Sequence, residues 1–116
     1  MNKLSGISEI DTETGLSNVF EDEGVYYDCL KVFHDMILVE CEKMAKALAS
    51  EDCKTFIISI HGMKSVLNTI GANKLYERAL DLEVMAKNDD LHSCRKHFSD
   101  FEEKLLQLYK KLSVVL

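Results

Sequence analysis

A chain of 116 residues has the size of one domain, for which about 100–150 residues is usual, so residues 1–116 read as a single unit. Hydrophobic residues make up 47% of it, enough for one core, yet no apolar run approaches the ~18 residues that a membrane span requires. Fourteen basic against twenty acidic residues leave a net charge of −6, which makes nucleic acid a poor partner because phosphate backbones are bound by basic stripes.

The opening stretch MNKLSGISEIDTETG carries acids early and has no long apolar segment, so no secretory leader and a cytoplasmic location are expected. Cys29, Cys41, Cys53 and Cys94 form no C-x-x-C pair. Free, reduced thiols are expected, with Cys29, Cys41 and Cys94 acting as small hydrophobes within helical patterns; a disulfide framework and a redox sensor are both disfavoured. Proline is absent, which suits unbroken helices because an interior proline costs ~3 kcal/mol. The expected fold class is all-α.

In chain order, residues 1–23 form an arm with its own apolar set, Ile7, Ile10, Leu16, Val19 and Phe20, expected to pack over one end of the body. Asp11 can cap a short helix that Gly15 interrupts or ends. From Gly24 to Ser50 a long helix carries Tyr26, Leu30, Phe33, Ile37, Cys41, Met44 and Leu48 at spacings of three and four. Ser50 or Asp52 caps the next helix, which runs from about Glu51 to Ile70 on a stripe of Phe56, Ile60, Met63, Leu67 and Ile70. Gly71 ends it in a left-handed cap. A third helix, about Asn73 to Lys87, turns Leu75, Ala79, Leu82 and Ala86 inward, and Asn88, Asp89 and Asp90 make a turn. The last helix repeats Leu91, Cys94, Phe98, Phe101, Leu105, Leu108, Leu112 and Val115 without a break. Four amphipathic helices over 24–116 with short turns predict an antiparallel up-and-down bundle carrying a short helical arm.

One segment, IISIHGMKSVLNTIGA at 57–72, departs from the rule of apolar in and charged out. With Phe56 at the centre of the buried stripe and about 100° per residue, His61, Lys64, Ser65, Asn68 and Lys54 turn outward. Ile57 and Ile58 turn outward with them, while Thr55, Gly62 and Thr69 form a small-residue flank. Apolar groups beside an outward histidine are what a docking surface presents. Ile57, one turn from His61, is the better docking candidate of the two; the competing reading packs both isoleucines beneath the arm. Lys64 lies one turn from His61, Ser65 adds little bulk, and Gly62 costs ~1 kcal/mol in a helix interior unless something must come close. A neutral imidazole is nucleophilic near neutral pH, and a phosphoryl group on it needs a cation nearby.

His61-Gly-Met-Lys64-Ser65 followed by Gly71-Ala72 resembles the motif of histidine-containing phosphotransfer (HPt) domains, in which a lysine follows the histidine by three residues and a glycine by ten. The resemblance covers nearly the whole chain, including IDTETGLSNVF at 10–20, which is similar to the family's lead-in. Two positions depart from the pattern. Ser65 stands where most members have glycine. Glu83 stands where some members have a glutamine that hydrogen-bonds the imidazole, and a carboxylate there would hold the Nδ1 proton and leave Nε2 free to attack.

The resemblance implies a phosphorelay carrier without an ATP site of its own. His61 would take a phosphoryl group from a receiver-domain aspartate and pass it to another, with Lys64 compensating the charge and Ser65, Asn68, Gly71 and Glu83 in support. Ile57, Ile58 and Gly62 would meet the partner, a response-regulator receiver or a hybrid histidine kinase. The carrier would hold no cofactor, Mg²⁺ belonging to the receiver, and would be monomeric or a segment of a larger kinase. The alternative is a helical interaction module that carries no phosphate and therefore has no need of His61 with Lys64. A zinc site at His92, Cys94 and His97 is disfavoured because the histidines are five apart on a helix and Cys94 lies on the core stripe. His34 reads as a surface residue. Hydrolysis through Ser59 or Ser65 with His61 lacks any oxyanion loop.

Overall fold

The computed structural model describes residues 2–116. Among them a short 3-10 turn, Asn2–Leu4, precedes five α-helices: α1 (Thr12–Asn18), α2 (Glu23–Ala49), α3 (Cys53–Ile70), α4 (Asn73–Lys87) and α5 (Leu91–Val115). The fold is all-helical, with no strand among the described residues. Among the described residues no helix is long and apolar enough to cross a membrane.

Aspartates start four of the five helices. Asp11, Asp22, Asp52 and Asp90 each accept a hydrogen bond from the backbone N–H three residues on, at 3.2, 3.1, 3.1 and 3.1 Å. This satisfies an N–H that the helix itself leaves unpaired. Of the two residues able to cap α3, Asp52 does so, whereas Ser50 turns its hydroxyl back to the Lys46 carbonyl at 2.9 Å and closes α2. The helix accordingly begins at Cys53, two residues later than expected. Its other end is as read from the sequence: Gly71 adopts φ +83°, a left-handed cap.

The periodic stripes are the core. Tyr26, Leu30, Phe33, Ile37, Cys41, Met44 and Leu48 of α2 are buried, as are Phe56, Ile60, Met63, Leu67 and Ile70 of α3. They meet Leu75, Ala79, Leu82 and Ala86 of α4 and the α5 stripe from Cys94 to Leu112, while Leu91 and Val115 at the ends of α5 are only half-buried. Helix α3 packs against α2 and α4, and α5 packs against the same two, so each long helix has two long neighbours. The arm lies across one end: α1 rests on α3 and α2.

Close backbone approach fixes that arm. The Asp11 N–H donates to the Gly71 carbonyl at 2.8 Å, and the Asn18 side chain donates to the Asn68 and Thr69 carbonyls at 3.0 and 3.3 Å. Gly15 does not interrupt or end a helix; α1 runs through it to Asn18. It is glycine because a Cβ there would strike the Tyr26 ring and the Ile70 carbonyl, to which the Tyr26 hydroxyl also donates at 2.7 Å. The arm's apolar set needs two corrections. Leu4 is buried and belongs to it, whereas Phe20 is 95% exposed. Phe20 and Glu21 take φ of +56° and +61° in the turn into α2, which carries the phenyl ring away from the body.

The thiols divide by depth. Cys41 and Cys94 are buried, and desolvation pushes them up to about 12 and about 11. Cys29 and Cys53 are only half-buried, so Cys29 is less of a core residue than its helical pattern suggested.

Candidate functional site

Glu83 organises the surface of α3 that faces α4. Its side chain is 3% exposed, yet both carboxylate oxygens are engaged: Oε2 with His61 Nδ1 at 2.7 Å and Oε1 with Lys64 Nζ at 2.6 Å. Lys87, one turn further along α4, brings its Nζ to 3.6 Å from Oε2. Burial pushes the Glu83 carboxyl up, but hydrogen bonds from Lys64 and His61 and the charges of Lys64 and Lys87 outweigh it. The group therefore lies below its ordinary value of 4.5 and is a carboxylate at neutral pH.

An ionised carboxylate only accepts hydrogen bonds, so the ring nitrogen facing it carries the proton. His61 is thereby held as the Nδ1–H tautomer when neutral, with its lone pair on Nε2. The side chain is 60% exposed, and among the described residues Nε2 has no hydrogen-bond partner. A surface imidazole whose inner edge is fixed and whose outer nitrogen is free is equipped to act as a nucleophile or to accept a proton.

The structure sorts the remaining expected site residues. Lys64 is not an outward, solvated cation: it is 17% exposed and folded down onto Glu83. Ile57 is half-buried and packed against the core, whereas Ile58 stands 65% exposed. The two differ because position 57 lies on the His61 and Lys64 side of α3, where α4 closes in. The arm covers neither, since it sits at the Gly71 end of α3. Gly71 and Asn68 belong to that same end; ten residues separate Gly71 from His61, roughly 15 Å along a helix, and its role is the turn beneath the arm.

Ser65 is exposed and donates to the His61 carbonyl at 3.1 Å, and Thr69 in turn donates to the Ser65 carbonyl at 3.1 Å. Gly62 is exposed, and a Cβ built on it would meet nothing within 4 Å. Lys54 is solvated, and Thr55 is spent on its cap with Asp52. Ser59 is buried and donates to Glu40 of α2 at 2.6 Å, away from His61.

His34 has companions that were not foreseen: its ring stacks on Tyr109 of α5 with centroids 4.5 Å apart, and its Nε2 lies 2.7 Å from the Ser113 hydroxyl. Among the described residues no group of three or more His, Cys, Asp or Glu side chains is placed to hold a metal ion.

Two further features go beyond what the sequence pattern predicts. Lys87 had a signal, its position four residues after Glu83, but that signal has meaning only once Glu83 is known to be buried. The other is a second apolar row on α2, turned toward α3 beside the core stripe. Val25 and Val32 are exposed on it, Cys29 and Met36 half-buried, and exposed Val39 continues it. Val25, Cys29 and Val32 line a shallow groove of about 330 Å³ with Val66 and Thr69, and a second hollow of about 250 Å³ follows at Glu40, Lys43, Ile58 and Gly62. Comparison of the chain with family models, curated proteins and solved structures found no match.

Proposed function

We propose that this chain is a histidine phosphotransfer carrier whose acceptor is His61 Nε2, built on an antiparallel up-and-down bundle of α2 to α5. The observation that carries the reading is the buried carboxylate of Glu83 holding Nδ1 of a surface histidine at 2.7 Å while Lys64 balances its charge. A histidine that only meets solvent has no use for a buried anion behind it, because such an anion must be compensated at a cost in desolvation. The two- and three-residue connections between the long helices, 50–52, 71–72 and 88–90, support the antiparallel arrangement.

In the proposed reaction the Nε2 lone pair attacks the phosphorus of a receiver's aspartyl phosphate in line. The N–P bond forms as the P–O bond to the aspartate breaks, and that electron pair leaves on the aspartate carboxylate. Nδ1 keeps its proton, so the ring becomes cationic as it is phosphorylated and the Glu83 carboxylate offsets that charge. Reverse attack by another receiver's aspartate returns the ring to neutrality. The carrier supplies position and electrostatics; Mg²⁺ and the acidic pocket belong to the receiver. The receiver would dock across the α2 and α3 surface that flanks Gly62, where Ile58 and the second α2 row offer apolar area. An interaction module that carries no phosphate would use the same apolar surface, but nothing in that role accounts for the His61, Glu83 and Lys64 arrangement.

The test is transfer from a radiolabelled phospho-receiver. Wild type is expected to acquire acid-labile, base-stable label, and His61→Gln to acquire none while remaining folded, because an exposed position holds no core volume and a glutamine amide can still donate to Glu83. Label persisting at the wild-type level on His61→Gln would overturn the reading.

A further inference from the structure

We propose that Lys87, not Lys64, supplies the positive charge that meets the phosphoryl group, and that Lys64 acts one step removed by positioning Glu83. The proposal rests on His61 being the acceptor. Its basis is the different way in which the two ammonium groups share one carboxylate.

Lys64 is committed. Its Nζ lies 2.6 Å from Glu83 Oε1, and the two side chains are 17% and 3% exposed. Withdrawing it toward solvent would strip a buried carboxylate of its strongest partner, and breaking a buried pair from one side is strongly destabilising. Lys87 is loose. It is 57% exposed, and its Nζ stands 3.6 Å from Oε2, beyond hydrogen-bond distance, in an i,i+4 contact of the weak surface kind. It can leave Glu83 without exposing or orphaning anything.

Location favours the same residue. Lys87 and His61 Nδ1 converge on one atom, Oε2, whereas Lys64 occupies the other oxygen. Phosphorylation leaves the Nδ1–H bond to Glu83 in place and adds a dianion on the outward side of the ring. Lys87 is the cation that shares the ring's own carboxylate oxygen and is free to follow the new charge. Lys43 is another exposed lysine nearby, but it lies across Gly62 on α2 and pairs with Glu40 at 3.8 Å.

The experiment compares wild type, Lys87→Ala, Lys87→Arg, Lys64→Ala and, as a control away from the docking surface, Lys110→Ala of α5 at low salt. Two readouts are taken: transfer rate and phosphohistidine half-life with one labelled receiver, and the ¹⁵N NMR tautomer signature of His61 in the unphosphorylated protein. Lys87→Ala is expected to slow transfer or shorten the half-life about fivefold, the scale of one exposed charge contact, with the His61 signature unchanged and with Lys87→Arg restoring the wild-type values. Lys64→Ala is expected to alter the His61 signature, as a positioning residue should. The proposal is overturned if Lys87→Ala behaves as wild type or no differently from Lys110→Ala, or if Lys64→Ala leaves the His61 signature intact. Absence of label on wild-type His61 would instead remove the carrier reading, and this proposal with it.

Discussion

Replacing Gly62 with alanine separates what the fold needs from what a partner needs. Gly62 lies in the middle of α3 with helical neighbours on both sides, and a Cβ there would touch nothing within 4 Å. The substitution therefore adds no strain, and it removes the entropic disadvantage of glycine in a helix interior, about 0.5–1 kcal/mol. For a chain of this size that gain raises the melting midpoint by roughly 2–5 °C. In the docked complex the effect reverses. The new methyl would sit beside the proposed acceptor imidazole, where overpacking at a tight contact costs ~1–3 kcal/mol, so transfer from the receiver should slow by about fivefold or more. Thermal unfolding and a labelled-receiver transfer assay on Gly62→Ala read the two effects independently. A variant that is stabilised yet transfers at the wild-type rate would refute the claim that Gly62 keeps the path to His61 open. One that is not stabilised would refute the claim that the free fold has no use for it.

Ile58→Asp is expected to leave the melting midpoint nearly unchanged and to weaken receiver binding by ~1–3 kcal/mol, whereas Ile57→Asp should lower the midpoint because its side chain is half-buried; calorimetry and a binding titration on the pair check this, and full receiver affinity in Ile58→Asp would remove Ile58 from the docking surface. Glu83→Gln keeps an acceptor for Nδ1–H but takes the charge partner from Lys64, at about 2–3 kcal/mol near neutral pH. Because the folded carboxyl lies below its ordinary value of 4.5, its stabilisation is complete above that value and is lost as pH falls through the lower folded one. The stability gap between wild type and Glu83→Gln in urea should therefore hold at pH values above 4.5 and close as the pH falls below it, and a gap that stays constant into acid would contradict the ion-pair account.

The elements that were legible in the sequence are those fixed by local physics. Apolar spacing named every buried apolar residue of α2, α3 and α4 except Ala47, because a residue at the centre of a stripe is buried whichever helix packs on it. Asp52 and Gly71 followed from capping chemistry that acts within a few residues. The misreadings fall where burial depends on a neighbour in space. A helical wheel gives an angle from the core axis, and at the edge of the stripe that angle alone cannot tell solvent from the next helix. Ile57 and Lys64 sit on that edge and were read as outward; α4 covers both in part. Phe20 was counted as arm packing, but two left-handed residues in sequence direct it into solvent, and nothing in that composition announces the turn.

The same distinction explains why His61 was visible as a candidate while its chemistry was only half visible. A histidine, a lysine one turn on and a glycine between them are local facts of α3. What sets the ring's tautomer is Glu83, twenty-two residues away on α4, and its importance lies in being buried, which no spacing within α3 can report. The resemblance to HPt domains drew attention to position 83 by analogy, and the geometry supplies a physical reason for an interest in that position. Helix α3 thus presents two unlike flanks on either side of one imidazole. Toward α4 the flank is charged, closed and hydrogen-bonded, as fixing Nδ1 requires. Toward α2 it is shallow and open, lined by Glu40, Lys43 and Ser59 and bordered by Gly62, with Ile58 left bare. An arrangement serving the monomer alone would bury the second flank as it buries the first. Leaving it open beside a histidine whose free nitrogen points away from the body is consistent with a surface that is completed by another protein.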